Sequence, residues 1–311
     1  MMQTDRLDKK VIGIGLACLD QLIMWEDVRA PVAGNRILAF DVQGGGMTGT
    51  ALVAVTRLGG RAEFWGAAGT DSMGDMVVRG LAEEKVDTSQ VKRVAGGRGP
   101  MVVVCVDRPT GERYFLHSVG LDLRDLDVGS LERLRGAGCL LVDCMIHGSA
   151  VRAAREARRL GVPVVADVGG GLSGPVRELL AHVDYAIAGQ GCARALGVGD
   201  EYGRACEALR AAGPGHVVVT LGDRGLVALA GDRLIRMDAF AVNVVDTCGA
   251  GDVFHGAFCC GLIRGLSFDQ NLSFSAAAAA LKCRRLGGRA GIPTFGEVVE
   301  FLRARGLSLP A

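Results

Sequence analysis

Apolar and polar positions in the first third of the chain fall into short runs with the two-residue period of β-strands. Residues 11–17 form an apolar run interrupted by glycine, which is typical of a buried strand. Residues 21–25 and 36–42 alternate between apolar and polar positions, as strands with one exposed face do. Residues 100–106 and 113–118 alternate in the same way and flank the turn-forming sequence DRPTG. These runs predict a small, separate sheet.

Beyond about residue 126 the pattern changes, and short apolar runs alternate with amphipathic helical segments. Strands are predicted at residues 139–143, 162–167, 183–188 and 216–220, and helices at 151–160, 175–180 and 201–212. This alternation predicts a parallel sheet covered by helices on both faces. We therefore predict an α/β fold with a small antiparallel addition. Residues 1–311 are expected to form a single domain, with the added strands at approximately 20–43 and 99–119.

Composition narrows the function classes. The chain is 49% hydrophobic and 22% charged, close to the average of globular proteins. A formal net charge of +1 and only 5% aromatic residues do not predict a nucleic-acid partner. No apolar stretch reaches the roughly 18 residues of a spanning helix, and the N-terminus lacks a secretory pattern, so no membrane partner is expected. The ten cysteines include no C-x-x-C pair, which predicts buried thiols in a reducing cytoplasm.

Glycine is the compositional outlier, because its 47 residues are about twice the usual share. Several glycines lie in runs, at 44–46, 169–171, 249–251 and 287–288. Such runs beside strands and helix starts are typical of backbone that approaches a ligand closely.

The segment with the clearest chemistry is Asp-Thr-Cys-Gly-Ala-Gly-Asp at residues 246–252, between a strand-like run and an amphipathic helix. Its small residues allow successive amides to converge on an anion, and the helix dipole adds positive potential, so a phosphate site is predicted. Asp252 would then serve as a general base beside the phosphate. From the residues alone, an equally good interpretation is that Asp252 only stabilises the helix N-terminus.

This segment resembles the D-T-x-G-A-G-D signature of the ribokinase-like (PfkB) carbohydrate kinases. A second match runs from Gly45 through the sequence G-x-D-x-x-G at residues 69–74 and resembles the N-terminal signature of that family. The resemblance spans about residues 11–302. It implies a ribokinase-like parallel-sheet sandwich with a small antiparallel β lid, and the transfer of a phosphoryl group from ATP, with Mg²⁺, to a sugar hydroxyl.

The resemblance also implies roles for individual residues. The catalytic set comprises the base Asp252 and an anion hole made by the amides of Gly249, Ala250 and Gly251. The substrate-binding set comprises Asp20, Gly45, Gly46, Thr50 and His117, with Thr50 at a place where many members have Asn. The nucleotide-binding set comprises Thr220, Gly222, Gly225 and Thr247. Asp246 is the expected site of a monovalent cation, for which K⁺ is the candidate.

The sequence departs from the family at one functional motif. Members carry N-x-x-E after a strand, where the acidic residue helps to organise magnesium, but residues 188–191 here read Ala-Gly-Gln-Gly. No protein ligand for magnesium is therefore assigned. Within the family, the chain is most similar to the sulfofructose kinase branch of ketose kinases. Asn35, His117 and Met145 lie where that branch places groups for the sulfonate, and Met145 cannot hold an anion.

We predict an ATP-dependent kinase for a primary hydroxyl of a small sugar, a ketose in furanose form such as fructose or a 6-substituted fructose. A nucleoside kinase and a non-catalytic sugar or nucleotide sensor are the alternatives. The lid is expected to close over the sugar and to supply a homodimer contact. A nicotinamide-dependent enzyme is not predicted, because the glycine-rich turn at residues 13–18 lacks the third glycine of that fingerprint.

Overall fold

The structure, a computed structural model, describes residues 8–25, 36–107, 113–118, 120–124 and 126–310. Its strands are β1 (Lys10–Ile14), β2 (Cys18–Trp25), β3 (Ala39–Gly45), β4 (Arg61–Trp65), β5 (Ala67–Gly69), β6 (Val86–Asp87), β7 (Lys92–Val94), β8 (Met101–Asp107), β9 (Arg113–His117), β10 (Cys139–Asp143), β11 (Val164–Val168), β12 (Tyr185–Gly189), β13 (His216–Thr220), β14 (Leu226–Ala230) and β15 (Arg233–Met237). Its helices are α1 (Met47–Arg57), α2 (Ser72–Glu83), α3 (His147–Arg159), α4 (Gly174–Leu180), α5 (Gln190–Ala195), α6 (Tyr202–Arg210), α7 (Ala250–Ile263), α8 (Phe268–Lys282) and α9 (Phe295–Arg303).

The large sheet has nine strands in the order β15-β14-β13-β12-β11-β10-β1-β4-β6. Every pair from β6 to β13 is parallel, whereas β14 and β15 pair antiparallel at one edge. Because the parallel strands end at the same edge, residues that close neighbouring strands lie side by side there. Asp143 at the end of β10 is the register partner of Asp167 in β11.

Two apolar layers cover the two faces of this sheet. One includes Ile12, Leu140 and Val164 together with residues of α3, α4 and α6. The other includes Val11, Leu141 and Val165 together with residues of α1, α7, α8 and α9. Alternate residues of the same buried strand therefore pack on opposite sides, which explains why these strands are continuous apolar runs in the sequence.

The smaller sheet, called the lid here, has the order β3-β2-β8-β9. Its two outer pairs are antiparallel, and its central pair, β2 with β8, is parallel. One row of register partners crosses it through Gln43, Asp20, Val102 and His117, so these four side chains share one face. Strands β8 and β9 lie within the predicted segment 99–119, whereas β2 begins at Cys18 and β3 ends at Gly45, two residues outside the predicted segment 20–43 at each end.

The predicted α/β class with a small lid sheet is confirmed. The assignment of residues 1–311 to a single domain stays a prediction. The sequence analysis did not predict the edge hairpin β14–β15 or helix α9. Eight of the ten cysteines are buried. Within the described part of the chain, no helix is both long and apolar enough to span a membrane.

Candidate active site

Two cavities meet at the loop that leads into α7. The first, the lid cavity, has a volume of about 590 Å³ and is lined by Asp20, Val102, Phe115 and His117 of the lid and by Gly249 and Asp252 of the core. The second, the helix cavity, has a volume of about 380 Å³ and is lined by Thr220 and Gly222 after β13 and by Ala250 and Gly251 of α7. Thr247 lines both cavities, so this loop forms the wall between them.

Helix α7 begins at that wall. Gly249 is its N-cap residue and has left-handed geometry, with φ of 74°. A Cβ atom at this position would lie 2.8 Å from the backbone oxygen of Gly288. Glycine is therefore required there, and it has no side chain to accept hydrogen bonds from the first-turn amides. The Ala250 amide donates to the Thr247 oxygen at 3.2 Å, and the positive end of the helix dipole favours an anion at this helix start.

Asp252 lies in the first turn of α7 and lines the lid cavity. The pKa of its carboxyl group is raised to about 7, mainly by burial and in addition by the charges of Asp167, Asp20 and Asp143, while His255 lowers it. A carboxylate with a pKa near 7 is a far stronger base than an ordinary aspartate at neutral pH. The position of Asp252 in the cavity and its raised pKa therefore suit the predicted general base as well as a residue that stabilises the helix start.

A row of carboxylates accompanies Asp252 at the strand ends. Asp143 is buried and accepts hydrogen bonds from the Leu16 amide at 2.7 Å and from Thr48 Oγ1 at 2.8 Å. Burial raises its pKa to about 6 despite these hydrogen bonds. Asp167 is more accessible, with 16% of its side chain exposed, and lies 3.5 Å from His255 Nε2. The site is thus rich in negative charge that a bound cation would offset.

His255 is buried against the backbone behind Asp252. Its Nδ1 lies 2.7 Å from the Gly251 oxygen, and its Nε2 lies 3.4 Å from the Ile187 oxygen. The imidazole therefore links α7 to the ends of β11 and β12. This arrangement suits a residue that positions the start of α7.

On the lid side, the glycine run at residues 44–46 is shaped by two charged side chains. A Cβ atom on Gly45 would lie 2.1 Å from Asp20 Oδ2, and one on Gly44 would lie 1.9 Å from Arg289 Nη1. Arg289 is only 6% exposed, and its Nη2 donates to the Gly45 oxygen at 2.9 Å. These glycines therefore make room for the protein's own Asp20 and Arg289.

The predicted nucleotide-binding residues Thr220, Gly222, Gly225 and Thr247 all line the helix cavity. The alanine run of α8 forms part of the opposite wall, through Ala276, Ala279 and Ala280. Small side chains on α8 leave a flat apolar surface, and together with Phe240 and Val242 they suit a planar ring. The cavity thus combines an apolar wall with backbone donors next to α7, which fits a nucleotide.

Among the predicted sugar-binding residues, Asp20, Gly46 and His117 line the lid cavity. Gly45 and Thr50 are not among the described residues that line it. Thr50 is buried in α1, and Gly45 faces Asp20. Met145 lines the cavity, whereas Asn35 lies outside the described residues.

Residues 188–191 at the end of β12, where the sequence lacks the magnesium motif of the family, offer no acidic side chain to a metal. Gly189 ends the strand, and Gln190 Oε1 accepts from Arg224 Nη2 at 3.0 Å. No group of three or more metal-binding side chains occurs among the described residues. Mg²⁺ that is bound to phosphates and water needs only one or two carboxylates, and Asp167 is a partly accessible carboxylate whose charge acts on Asp252. The residues present fit a magnesium ion that is held mainly by phosphate.

Each oxygen of Asp246 already accepts a hydrogen bond from the protein, and one of the donors is itself a cation. Its Oδ1 accepts from the Cys248 amide at 2.8 Å, and its Oδ2 accepts from the Gly287 amide at 2.7 Å. Its backbone oxygen accepts from Lys282 Nζ at 2.9 Å. The predicted potassium site thus has a poor fit to these residues.

Sequence reasoning assigned no role to three residues that the structure places at or behind the site: Asp143, Asp167 and Lys282. For Arg289 it left two roles open, contact with a phosphate or stabilisation of the helix end. The two aspartates carried a usable signal, because each is a polar residue near the end of a buried apolar strand. Lys282 carried none, because it lies at a helix end, where exposed cations are common.

The fold and the site together define a small-molecule kinase, with an anion-binding helix start between a lid-covered cavity and a nucleotide-sized one. A family model described as pfkB family carbohydrate kinase matches residues 8–295, and the chain belongs to that family. It is therefore a phosphotransferase that acts on an alcohol group, of the sugar or nucleoside kinase class. The predicted family and enzyme class are confirmed.

Individual relatives agree over nearly the whole chain. A ribokinase of Haemophilus influenzae is 30% identical over 276 residues, which cover 85% of this chain and 88% of the relative. A nucleoside kinase of Methanothermobacter thermautotrophicus is 26% identical, with 96% of this chain and 97% of the relative covered. The structure of Arabidopsis thaliana ribokinase complexed with ribose and ATP is similar with a TM-score of 0.82 and 26% identity, covering 94% of this chain and 98% of that chain.

Proposed function

We propose that this protein transfers the γ-phosphoryl group of ATP to a primary hydroxyl of a small ketose in furanose form, such as fructose or a 6-substituted fructose. The observation that carries the proposal is the position of Asp252. Its carboxyl group, with a pKa raised to about 7 by burial, lines the lid cavity next to the amides that open α7. This arrangement supports a base beside an anion-binding helix start, where a hydroxyl would meet a phosphoryl group.

In the proposed reaction, the sugar hydroxyl attacks the γ-phosphorus while Asp252 accepts the hydroxyl proton. The new O–P bond forms as the bond between the γ-phosphorus and the bridging oxygen of ADP breaks. The amides of Gly249, Ala250 and Gly251 would stabilise the charge on the phosphoryl oxygens. Magnesium, when bound, would neutralise phosphate charge, and Asp167 is the residue that would hold its water shell.

Substrate binding is assigned to the two cavities. Thr220, Gly222, Gly225 and Thr247 would contact ATP in the helix cavity. Asp20 and His117 share one face of the lid, and their polar groups would hold the sugar hydroxyls beside Gly46. Because the ketose hydroxyls need acceptors, Asp20 must be ionised to bind them well.

The apolar part of the lid cavity favours a second candidate, a nucleoside. Val102, Val104, Phe115 and Met145 line one side of it, and Phe115 stacks with His117 at a ring-centroid distance of 6.4 Å. These side chains would suit a base better than sugar hydroxyls, which they leave without partners. A nucleoside also presents a primary hydroxyl, and one relative is a nucleoside kinase.

We also propose that the lid supplies a homodimer contact. Its outer face, opposite the cavity, carries Phe40 and Leu116, which are 59% and 60% exposed. Apolar side chains at this level of exposure on a sheet favour a covering partner. We further propose that the protein is located in the cytoplasm and that residues 1–311 form a single ribokinase-like domain.

A panel of ketoses, aldoses and nucleosides with ATP and Mg²⁺, read out by ADP release, tests the function. The proposal expects the highest kcat/KM for a ketose, and a nucleoside with the highest value would instead support the second candidate. Binding of a sugar by calorimetry with no ADP release on any compound would support a non-catalytic sensor. Asp252→Asn, run on the same panel, separates phosphoryl transfer from contaminating ATPase activity, because only the former should be lost.

A further inference from the structure

Lys282 is a fully buried lysine at the end of α8, with 0% of its surface exposed. Lysine is rarely found in such a position, because removing an ammonium group from water is costly unless oxygen acceptors replace the water. One acceptor is the backbone oxygen of Asp246, which lies 2.9 Å from Nζ. A buried cation therefore contacts the segment that leads into α7, the helix that carries Asp252.

The loop around this cation is held by several further hydrogen bonds. The amides of Val245 and Asp246 both donate to the Cys283 oxygen, at 2.8 and 3.1 Å. The Asp246 carboxylate accepts from the Cys248 amide on one oxygen and from the Gly287 amide on the other. The ammonium of Lys282 thus lies at a junction of the C-terminus of α8, the loop after residue 282 and the segment that runs directly into Gly249.

The chemistry of this junction is that of a monovalent-cation site. The C-terminal end of a helix carries negative potential from its carbonyl groups, and a buried aspartate adds a negative charge. An ammonium group and a potassium ion have the same charge and both bind carbonyl oxygens. The difference is that the lysine is attached to the chain and cannot dissociate.

We infer that the Lys282 ammonium takes the place of a monovalent cation at Asp246, so that this protein carries its activating cation as a side chain. The inference replaces the potassium ion expected at Asp246. It predicts that K⁺ has no specific effect on the wild-type protein. It also predicts that removing the ammonium group while leaving space creates a requirement for K⁺.

The experiment measures thermal unfolding and ADP release in KCl, NH₄Cl and choline chloride at constant ionic strength, with the best substrate of the panel. Wild-type protein is expected to give the same Tm and kcat in all three salts. Lys282→Ala is expected to lose stability and kcat in choline chloride and to regain a large part of both in KCl or NH₄Cl. Lys282→Met, which fills the space without a charge, is expected to lose both and regain neither. Lys92→Ala, at an exposed lysine of β7, is the matched control and should behave as wild type.

Each outcome decides the inference. A wild-type Tm or kcat that rises specifically with K⁺ would overturn it, as would a Lys282→Ala protein indifferent to K⁺. If Lys282→Ala fails to fold in choline chloride, refolding in KCl is expected to recover it, and failure there counts against the inference. The activity measurement rests on the proposed function, whereas the Tm measurement does not. A protein that lacks kinase activity but shows the expected Tm pattern would therefore contradict the proposed function and support the inference that Lys282 replaces the monovalent cation.

Discussion

The buried guanidinium of Arg289 donates a hydrogen bond to the backbone oxygen of Gly45 at 2.9 Å, across 244 positions of the chain. This contact joins the loop after α8 to the point where lid strand β3 meets the core. The adjacent Gly287 and Gly288 approach Gln43 of the lid and Gly249 of the anion-binding loop. The loop at residues 287–289 therefore contacts both the lid and the start of α7.

Replacing Arg289 should weaken sugar binding in a pH-dependent way. Burial raises the pKa of Asp20, while the hydrogen bond from Cys18 and the charges of Arg289 and His117 oppose that rise. Arg289→Met removes one opposing charge, so the pKa of Asp20 rises further. We expect KM for the sugar to increase several-fold and to increase more steeply as the pH falls, with kcat at high pH little changed. Kinetics with varied sugar across pH measures this.

Arg289→Lys is the control for the charge. It keeps the positive charge and loses the geometry of the guanidinium, so it should restore the pH dependence of KM while raising KM at every pH. A loss of kcat with an unaltered KM profile in both variants would instead indicate a purely structural role for Arg289.

Asp252→Asn should lower kcat by about 10²-fold or more and leave sugar binding nearly intact, because the amide cannot accept the hydroxyl proton. In the wild-type protein the base must be ionised, so activity should fall as the pH drops below the pKa of about 7. Turnover that is unchanged in the variant, or flat between pH 5 and 8 in the wild type, would contradict the assignment of the base.

Asp167→Asn should shift the acid limb of the pH–rate profile, where activity falls as Asp252 becomes protonated, to lower pH. After burial, the charge of Asp167 is the largest contribution that raises the pKa of Asp252. Removing this charge makes Asp252 easier to ionise, so the half-maximal rate should occur at a lower pH whether or not the maximal rate also falls. Asp232→Asn, at a carboxylate that is 99% exposed, should leave the profile where it is. An acid limb that moves upward in Asp167→Asn would show that the field of Asp167 is not what raises this pKa.

The sequence was most informative where the site is contiguous. Residues 246–252 form the loop and helix start in one stretch, so their amides and Asp252 could be assigned to a phosphate site before any fold was known. The strand pattern also placed the lid, because alternation reports an exposed face. The hairpin β14–β15 was missed, since Leu226–Ala230 is a short apolar run buried on both faces, and periodicity alone does not distinguish such a run from a buried helical segment.

Charged residues brought in from distant positions could not be predicted. Nothing in the run after α8 indicates that Arg289 turns inward, because its partner, the Gly45 oxygen, is a backbone group that any residue has. Gly44 belongs to a run that was interpreted as backbone close to a ligand, but its missing side chain makes room for Arg289. A glycine in a sequence reports that space is needed and does not report what occupies it.

The outer face of the lid gives the last prediction. Phe40, Ile23, Cys105 and Tyr114 are register partners across the four strands, and Leu116 lies on the same face as Tyr114. Leu116→Lys places a charge on this apolar face at edge strand β9, so it should convert a dimer into a monomer in light scattering at equal protein concentration. Leu234→Lys on β15, 44% exposed and remote from the lid, should leave the mass unchanged. A wild-type protein that is monomeric at every concentration would show that this face does not pair two copies, and the apolar side chains of the lid would then need another cover.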